Sequence, residues 1–526
     1  MNGPVLTNNH LMPEPTGGAI VNLPTRDESQ ERERFPTIVH SLIDAAKKYP
    51  ERSAVICDGN SLTYEEVNLA AASLAITLRQ RGIKSGDRVA VIAPASLQLP
   101  QIIFGVMGAE AQVTMINPNF TQRELEPLFR ISEPRAVLCH RKLRKTLLRL
   151  SKKLGFEVLS ISDELWCNSN DWVIDRLPNG ADMAVLLFTG GTTGVSKGVP
   201  HTHDQVIASL LAIEDRWPTS LDGEVFLNIP PLFHIVGLYH GCFQPVFGRS
   251  TALLISRFEP EEVFNSINKY RVSILIAGVP AAYIAMLNHP AFDKVNYKSI
   301  RFACGGGAPL AKETLHEWER RTDVPALEGY GMTEGAPTCN NPFFGERRAL
   351  SVGKPVYGIE LEIVDVATGT IEMNDGEHGE IRVRGGHIAS GYFNNSEATS
   401  AAFRENWLYT GDIAYRDRDG FIYIVDRAKD MAIVSGFNVF PREIDEILMA
   451  HPQIKEAASI GFPDAEKGEA IKSFICLNDG SNLTENQIKD YCREDLVGYK
   501  IPKQIIFREA LPKTPVGKID KNQLRR

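Results

Sequence analysis

The run Met183-Ala184-Val185-Leu186-Leu187-Phe188, followed by Thr189-Gly190-Gly191-Thr192-Thr193-Gly194-Val195-Ser196-Lys197-Gly198, constrains the fold more than any other stretch. An unbroken apolar run bounded by glycines reads as a buried strand. Gly190, Gly191, Gly194 and Gly198 let the backbone turn tightly and approach a ligand closely. Backbone amides and the hydroxyls of Thr189, Thr192, Thr193 and Ser196 donate to phosphate oxygens, and Lys197 adds a mobile positive charge. The combination predicts a polyphosphate cradle at a strand end. It is not the common P-loop, in which glycine, lysine and a hydroxyl residue are consecutive. Here the order is Ser196-Lys197-Gly198, so a kinase-like or GTPase-like reading loses its main support.

Around this loop the chain alternates. Thr63 and Glu66 form a capping box for a helix ending near Gly82, and Thr121 and Glu124 open another. Arg88–Ala93, Ala136–Cys139, Val225–Ile229, Ala252–Ile255, Ser273–Ala277 and Ile300–Cys304 read as strands, with helical patterns at Pro260–Tyr270 and Lys312–Arg321. Such alternation predicts layered, largely parallel α/β sheets. After about Ser351 the pattern becomes β-rich, with a hairpin signal at Asp419-Gly420, and predicts a small antiparallel barrel or sheet. Beyond Arg427 roughly 100 residues of mixed α/β character are enough for a separate small lobe. The expected division is a loosely held arm over 1–34, a large domain over 35–428 with its β-rich part near 351–427, and a small lobe over 429–526. At 526 residues the chain exceeds the size of a single core, which agrees with several subdomains.

Charge and cysteines narrow the function. A net charge of -8 gives no reason to expect a nucleic-acid partner. Eight scattered cysteines without a C-x-x-C pair suggest neither a zinc site nor a disulfide framework, and a reducing cytoplasm fits. No apolar run reaches the roughly 18 residues of a membrane span.

Further glycine-rich and charged clusters recur along the chain. Gly305-Gly306-Gly307-Ala308-Pro309 suits a backbone packed against a flat ligand, or a plain strand–helix turn. Glu328-Gly329-Tyr330-Gly331-Met332-Thr333-Glu334 offers a ring face for stacking a base, a hydroxyl for phosphate and a carboxylate for Mg²⁺. Thr410-Gly411-Asp412 could hold both ribose hydroxyls, though alone such a triplet is usually a turn. Asp426-Arg427-Ala428-Lys429-Asp430 leads to Ser435-Gly436-Phe437, and Pro512-Lys513-Thr514-Pro515-Val516-Gly517-Lys518 stands near the terminus. Singly, these two read as a charged linker and a solvated tail.

Together, in this order and at this wide spacing, the six motifs resemble those of the adenylate-forming enzymes. That family includes acyl-CoA synthetases, 4-coumarate-CoA ligases, firefly luciferase and peptide-synthetase adenylation domains. The resemblance runs from about Phe35 to Leu524, and Phe188–Gly198 is especially similar to the fatty-acyl branch. It implies that ATP and a carboxylate first give an acyl-adenylate and pyrophosphate, after which a thiol, coenzyme A, displaces AMP. It implies that Thr189, Gly190, Gly191, Thr192, Thr193 and Lys197 hold phosphates. Gly306, Gly307, Ala308, Pro309, Glu328, Gly329, Tyr330, Gly331, Met332 and Ile424 would frame the adenosine, Asp412 and Arg427 the ribose, and Glu334 the Mg²⁺. Thr333 and His234 would assist, Lys518 would reach the substrate carboxylate and the α-phosphate, and Lys429 would be the hinge. Arg257, Ser435, Gly436 and Phe437 would meet CoA. His234, Val236, Leu238, Tyr239, Gly305, Gly306 and Gly331 would line the acid pocket.

The sequence departs from the coumarate ligases at Ile433 and Ser435, where they carry lysines, which argues against a plant-type phenylpropanoid substrate and leaves adenylation untouched. Gly305, Gly306 and Gly307 leave room, and the apolar Phe233, Val236, Leu238 and Tyr239, with no evident countercharge, suit a fatty or aryl acid better than an amino acid or dicarboxylate. Two rivals stand beside CoA ligation. One is a free-standing adenylation enzyme loading a carrier-protein thiol; no carrier domain is expected after Arg526. The other is a non-catalytic nucleotide-binding protein, disfavoured by the presence of Lys197, Glu334, Asp412 and Lys518 together. Monomer and homodimer are both compatible with the sequence.

Overall fold

The computed structural model describes residues 35–161, 176–189, 196–220, 223–308, 310–435, 437–464, 466–514 and 518–525. A nine-stranded sheet is ordered Lys354–Pro355, Gly335–Asn340, Ala326–Met332, Phe302–Gly306, Ile274–Gly278, Val225–Asn228, Thr251–Leu254, Ser53–Cys57, Asn60–Thr63. Its inner run from Ala326–Met332 to Ser53–Cys57 is parallel, and antiparallel strands close both edges. A six-stranded sheet is ordered Glu157–Ser160, Ala136–Cys139, Arg88–Ile92, Gln112–Met115, Met183–Phe188, Gly198–Thr202, parallel except at the last pair. Parallel strands are covered on both faces, which is why Ala136–Cys139 is apolar and wholly buried.

One core joins both sheets. Val55, Phe226 and Ile276 from the first and Val89, Val113 and Val185 from the second share a cluster with the helices Tyr64–Gln80 and Gln98–Gly108. The helices start where the capping residues stand. Thr63 and Glu66 exchange reciprocal bonds at the start of Tyr64–Gln80, and Glu124 accepts from Thr121 N at the start of Gln122–Ser132. Each such cap satisfies amides that a helix start leaves unpaired.

After Ser351 an antiparallel sheet runs Ile359–Val364, Gly379–Gly385, Trp407–Arg416, with Phe403–Arg404 and Ile422–Arg427 both on the far side of Trp407–Arg416. Its pairing is an open path, so of the two expected forms it is a sheet rather than a barrel. The last sheet pairs Phe437–Val439, Ala432–Val434, Gly468–Leu477 and Ile454–Asp464, with Gln504–Phe507 parallel to Gly468–Leu477. Val434, Ile444, Ile471 and Ile488 give it a core of its own with the helices Pro441–Ala450 and Glu485–Asp495. No helix among the described residues is long and apolar enough to cross a membrane.

Candidate active site

The large sheet, the β-rich sheet and the last lobe deliver residues to one place. Strand Trp407–Arg416 carries Asp412, and its antiparallel partner Ile422–Arg427 sets Arg427 directly opposite. Arg427 Nε lies 3.0 Å from Asp412 Oδ1. The hydroxyl of Tyr330, at the end of the parallel run of the large sheet, donates to Asp412 Oδ2 at 2.5 Å. Asp412 is 5% exposed, so both oxygens are held before any ligand arrives. The sequence assigns Tyr330 a stacking ring; its hydroxyl also orients the carboxylate.

Lys518 reaches this pair from the last lobe. Its backbone is clamped to Thr514: Thr514 N donates to Lys518 O at 2.7 Å, and Lys518 N donates to Thr514 Oγ1 at 3.2 Å. Its Nζ stands 3.3 Å from where a Cβ on Gly307 would lie. Burial, then repulsion from Arg427, lowers the ammonium below its ordinary value, against attraction from Asp412. Two neighbouring cations, Lys518 and the half-exposed Arg427, suit an anionic ligand.

His234 is beside them. Its Nδ1 accepts from Val236 N at 3.4 Å at the start of Ile235–Leu238, which leaves the ring hydrogen on Nε2. Burial first and Lys518 second lower its pKa to about 4, so the ring is neutral at physiological pH. A neutral donor can face a carboxylate without competing with Lys518 for charge.

Glu328 lies in a narrow recess with Gly305, Gly306, Ala308, Leu310 and Tyr283. Its Oε1 accepts from Leu310 N at 3.1 Å, whereas Oε2 is buried and has no partner among the described residues. Desolvation pushes the acid up to about 7, against the Leu310 amide and Arg442. A lone buried acceptor is an address for a donor such as an exocyclic amine.

Glu334 accepts the hydroxyl of Tyr392 at 2.6 Å, and Lys197 Nζ lies 4.4 Å from the centre of the Tyr392 ring. The carbonyl of the adjacent Thr333 is bonded to buried His201 Nε2 at 2.8 Å, and His201 Nδ1 to the Tyr239 hydroxyl at 3.2 Å. Neither Tyr392 nor His201 stands out in the sequence. Tyr392 sits in a Ser-Gly-Tyr loop and His201 in a strand, and nothing local announces their partners.

Among the described residues no group of three or more His, Cys, Asp and Glu side chains could hold a metal. A single hard carboxylate at Glu334 still fits Mg²⁺, which keeps waters and takes substrate phosphates as ligands.

Several expected residues lie elsewhere or act differently. Gly305 and Gly306 were expected to leave room for the acid. A Cβ on Gly305 would meet Gly278 O at 2.7 Å, and one on Gly306 would meet Gly329 O at 2.2 Å. On Gly331 it would meet the Ala336 Cβ at 2.9 Å. Close approach of neighbouring chain requires glycine at these positions, while Gly305 and Gly306 also line the recess beside Glu328. Leu238 and Tyr239 are fully buried in the main core, while Val236 only packs against it. Arg257 is 85% exposed and pairs with Glu259 at 3.1 Å. Phe437 is also exposed and stacks on Tyr499 at 4.5 Å. Ser435, at φ 52°, is exposed as well. Gly190, Gly191, Thr192, Thr193, Pro309 and Gly436 lie outside the described residues; Thr189, next to them, accepts from Lys197 N at 3.2 Å. Ile424 and Met332 are half-buried and pack, like Tyr330, against the core of the β-rich sheet.

Comparison with known proteins identifies the family. The long-chain-fatty-acid–CoA ligase of Salmonella typhimurium is 32% identical over 94% of this chain and 95% of its own length. The peroxisomal OPC-8:0-CoA ligase 1 of Arabidopsis thaliana is 34% identical over 89% of this chain and 88% of its own. Among solved structures, ATP-bound MatB from Rhodopseudomonas palustris superposes with a TM-score of 0.87 at 29% identity, covering 93% of this chain and 98% of that one. The AMP-bound o-succinylbenzoate coenzyme A synthetase of Bacillus subtilis gives 0.83 at 27%, covering 92% and 98%. The family model of the AMP-binding enzymes matches residues 42–393 and that of their C-terminal domain residues 443–518, so Tyr330 and Lys518 each fall within a match, and the chain belongs to the AMP-binding enzymes.

Proposed function

We propose that the chain is an ATP-dependent carboxylic acid:CoA ligase. A carboxylate oxygen attacks the α-phosphorus of ATP, the bond to the β-phosphate oxygen breaks, and acyl-AMP and pyrophosphate form. The thiol sulfur of CoA then attacks the acyl carbon, the thiol proton is lost, and AMP leaves with the bonding pair. The observation that carries this reading is Lys518 beside Gly307, His234, Asp412 and Arg427. A cation delivered there by the last lobe stabilises charge gathering on the α-phosphoryl oxygens and on the attacking carboxylate.

Asp412 and Arg427 take the ribose, and Glu328 Oε2 takes the amine of adenine. Tyr330, Gly307 and Ala308 flank the base. Lys197, with the loop around it, and Thr333 take the outer phosphates. Mg²⁺ held by Glu334 would neutralise phosphate charge. Neutral His234 orients the acid. Lys429 serves as the hinge between the lobes, and Ser435, Gly436 and Phe437, with Arg257, meet CoA after a swing that brings them to the site.

The acid is fatty or aryl. The long-chain-fatty-acid ligase relatives support the first, and the o-succinylbenzoate synthetase supports the second. All the cysteines among the described residues are free, which suits a reducing, ATP-supplied cytoplasm. The test is a panel of fatty and aryl acids, read by exchange of labelled pyrophosphate into ATP and then by CoA-dependent release of AMP. Exchange without thioester on CoA, but with thioester on a carrier protein, would assign the other thiol. Absence of acid-dependent exchange across the panel would remove the adenylation reading.

A further inference from the structure

Tyr392 is in contact with two residues that the adenylation reading needs, by two different kinds of contact. Its hydroxyl donates to Glu334 Oε1 at 2.6 Å. Its ring lies under Lys197 Nζ, 4.4 Å from the centroid. A cation over a ring face is attracted by the ring's negative quadrupole, and the attraction grows as water is excluded. A hydrogen bond to a carboxylate is stronger than one between neutral groups. Glu334 and Lys197 are thus set in place, on opposite chemical faces of one side chain, before ligand binds.

The tyrosine is itself held firmly. Its backbone N donates to Thr399 Oγ1 at 2.9 Å, and Thr399 Oγ1 donates to Asn395 O at 2.7 Å. Asn395 caps the helix Ser396–Ala402 by accepting from Ala398 N at 3.0 Å. Phe403 meets the ring edge-on, 5.6 Å away and at 77°. The next residue ties the segment to the phosphate loop, since Phe393 N donates to Gly198 O at 2.8 Å. Ala389 N donates to Glu334 O at 2.7 Å and ties it to the other motif. The segment from Ala389 to Thr399 is a bracket between the loop that carries Lys197 and the turn that carries Glu334.

We propose that Tyr392 is a positioning residue for Mg²⁺–ATP: its hydroxyl fixes one oxygen of Glu334 so that the other faces the cation, and its ring holds Lys197 over the phosphates. The inference rests on the ATP-binding reading above. It separates into two halves because the two contacts use different parts of the side chain. Tyr392→Phe removes the hydroxyl and keeps the ring. Tyr392→Leu removes both.

The experiment is calorimetric titration of the full chain with α,β-methylene-ATP, which blocks cleavage at the α-phosphorus. It is run without acid, once with Mg²⁺ and once with EDTA. Tyr392→Phe is expected to bind about fivefold or more weakly with Mg²⁺ and like the wild type in EDTA, the size expected for one lost hydrogen bond. Tyr392→Leu is expected to bind more weakly in both. The apparent Mg²⁺ requirement of pyrophosphate exchange rises in Tyr392→Phe, while its rate at saturating Mg²⁺ recovers. Wild-type affinity of Tyr392→Phe in both conditions overturns the proposal, as does equal weakening in both. If Tyr392→Leu does not fold, Tyr392→Phe alone decides between these outcomes. A wild-type chain that binds no analogue in either condition overturns the ATP-binding reading and this proposal with it.

Discussion

Lys518 Nζ stands 3.3 Å from the position a Cβ would take on Gly307, and Gly307 itself has φ 73°. The contact joins the last lobe to the large sheet at the point where the α-phosphate is proposed to lie. Lys518→Ala is therefore expected to slow adenylation by about 10²–10³, the usual effect of removing one charge-stabilising contact. Conversion of pre-made acyl-AMP to thioester should be spared. Pyrophosphate exchange at the wild-type rate in the variant would place the essential cation elsewhere.

Asp426 makes a second contact between lobes. It lies on Ile422–Arg427, and its Oδ2 accepts from Arg442 N at 2.8 Å, in the first turn of the helix Pro441–Ala450. Its Oδ1 accepts from Arg427 N at 2.7 Å, which fixes its orientation. A carboxylate at a helix start satisfies an unpaired amide and opposes the helix dipole. The bond exists only while this helix stays against the β-rich sheet. Asp426→Ala should weaken the arrangement by about 1 kcal/mol, a factor of about 5 in population. Adenylation should fall by that factor and thioester formation from acyl-AMP should not. Equal losses in the two half-reactions, measured in single turnovers, would mean the residue supports both arrangements alike.

Glu328 predicts a pH dependence of the ligand-free protein. Its folded pKa is raised from 4.5 to about 7, first by burial. Below the unfolded value both states hold the proton and the group costs nothing. Between 4.5 and about 7 the unfolded chain releases its proton while the folded one keeps it, so stability falls as pH rises. The full penalty, about 3 kcal/mol, is present above that window. Glu328→Gln should remove the slope, and the variant should gain on the wild type as pH rises. Denaturant unfolding at about pH 5 and about pH 7.5 reads the difference. The comparison isolates Glu328 from Asp445, which burial raises to about 6 in both proteins. Parallel curves for the two proteins would show that Glu328 is not desolvated as the fold implies.

What could be read from the sequence follows the range of the interaction. Caps such as Thr63 with Glu66 act over one turn and are legible as spacing. Buried parallel strands such as Ala136–Cys139 are legible as unbroken apolar runs. The meeting of Asp412 with Arg427 needs a hairpin register, and the hairpin signal at Asp419-Gly420 supplied it. The bond from Tyr392 to Glu334 spans 58 residues and leaves no local trace. The glycines of the 305–307 run were legible as tight approach, but the sequence could not say to what. Gly306 faces Gly329 O, whereas Gly307 faces Lys518. Arg257 was matched by position to a CoA contact, and position alone does not fix where an exposed side chain turns.

The proposed hinge at Lys429 bears on whether two half-reactions can share one site. Lys518 is at the site, while Phe437, on the same lobe, is exposed and stacked on Tyr499. On the proposed reading, one arrangement is not expected to bring both to the acyl carbon. The connection is short. Ala428 N donates to Gly411 O at 2.9 Å, and Asp430 N and Met431 N both donate to Arg427 O, at 2.9 and 3.1 Å. These bonds anchor the turn on either side of Lys429. Lys429 itself is exposed between these bonds. A few residues can absorb a domain rotation, and proline at 429 would lock φ near about −65° and restrict Ala428 as well. Lys429→Pro should trap the arrangement that holds Lys518 in place. Adenylation should persist within about tenfold, and thioester formation should fall by several orders of magnitude, because the loop proposed to meet CoA would no longer reach the site. Single-turnover kinetics of each half-reaction, with circular dichroism to establish folding, test this. A folded variant that makes acyl-CoA at the normal rate would show that no rotation about Lys429 is needed and that CoA enters the site with the lobes as they stand.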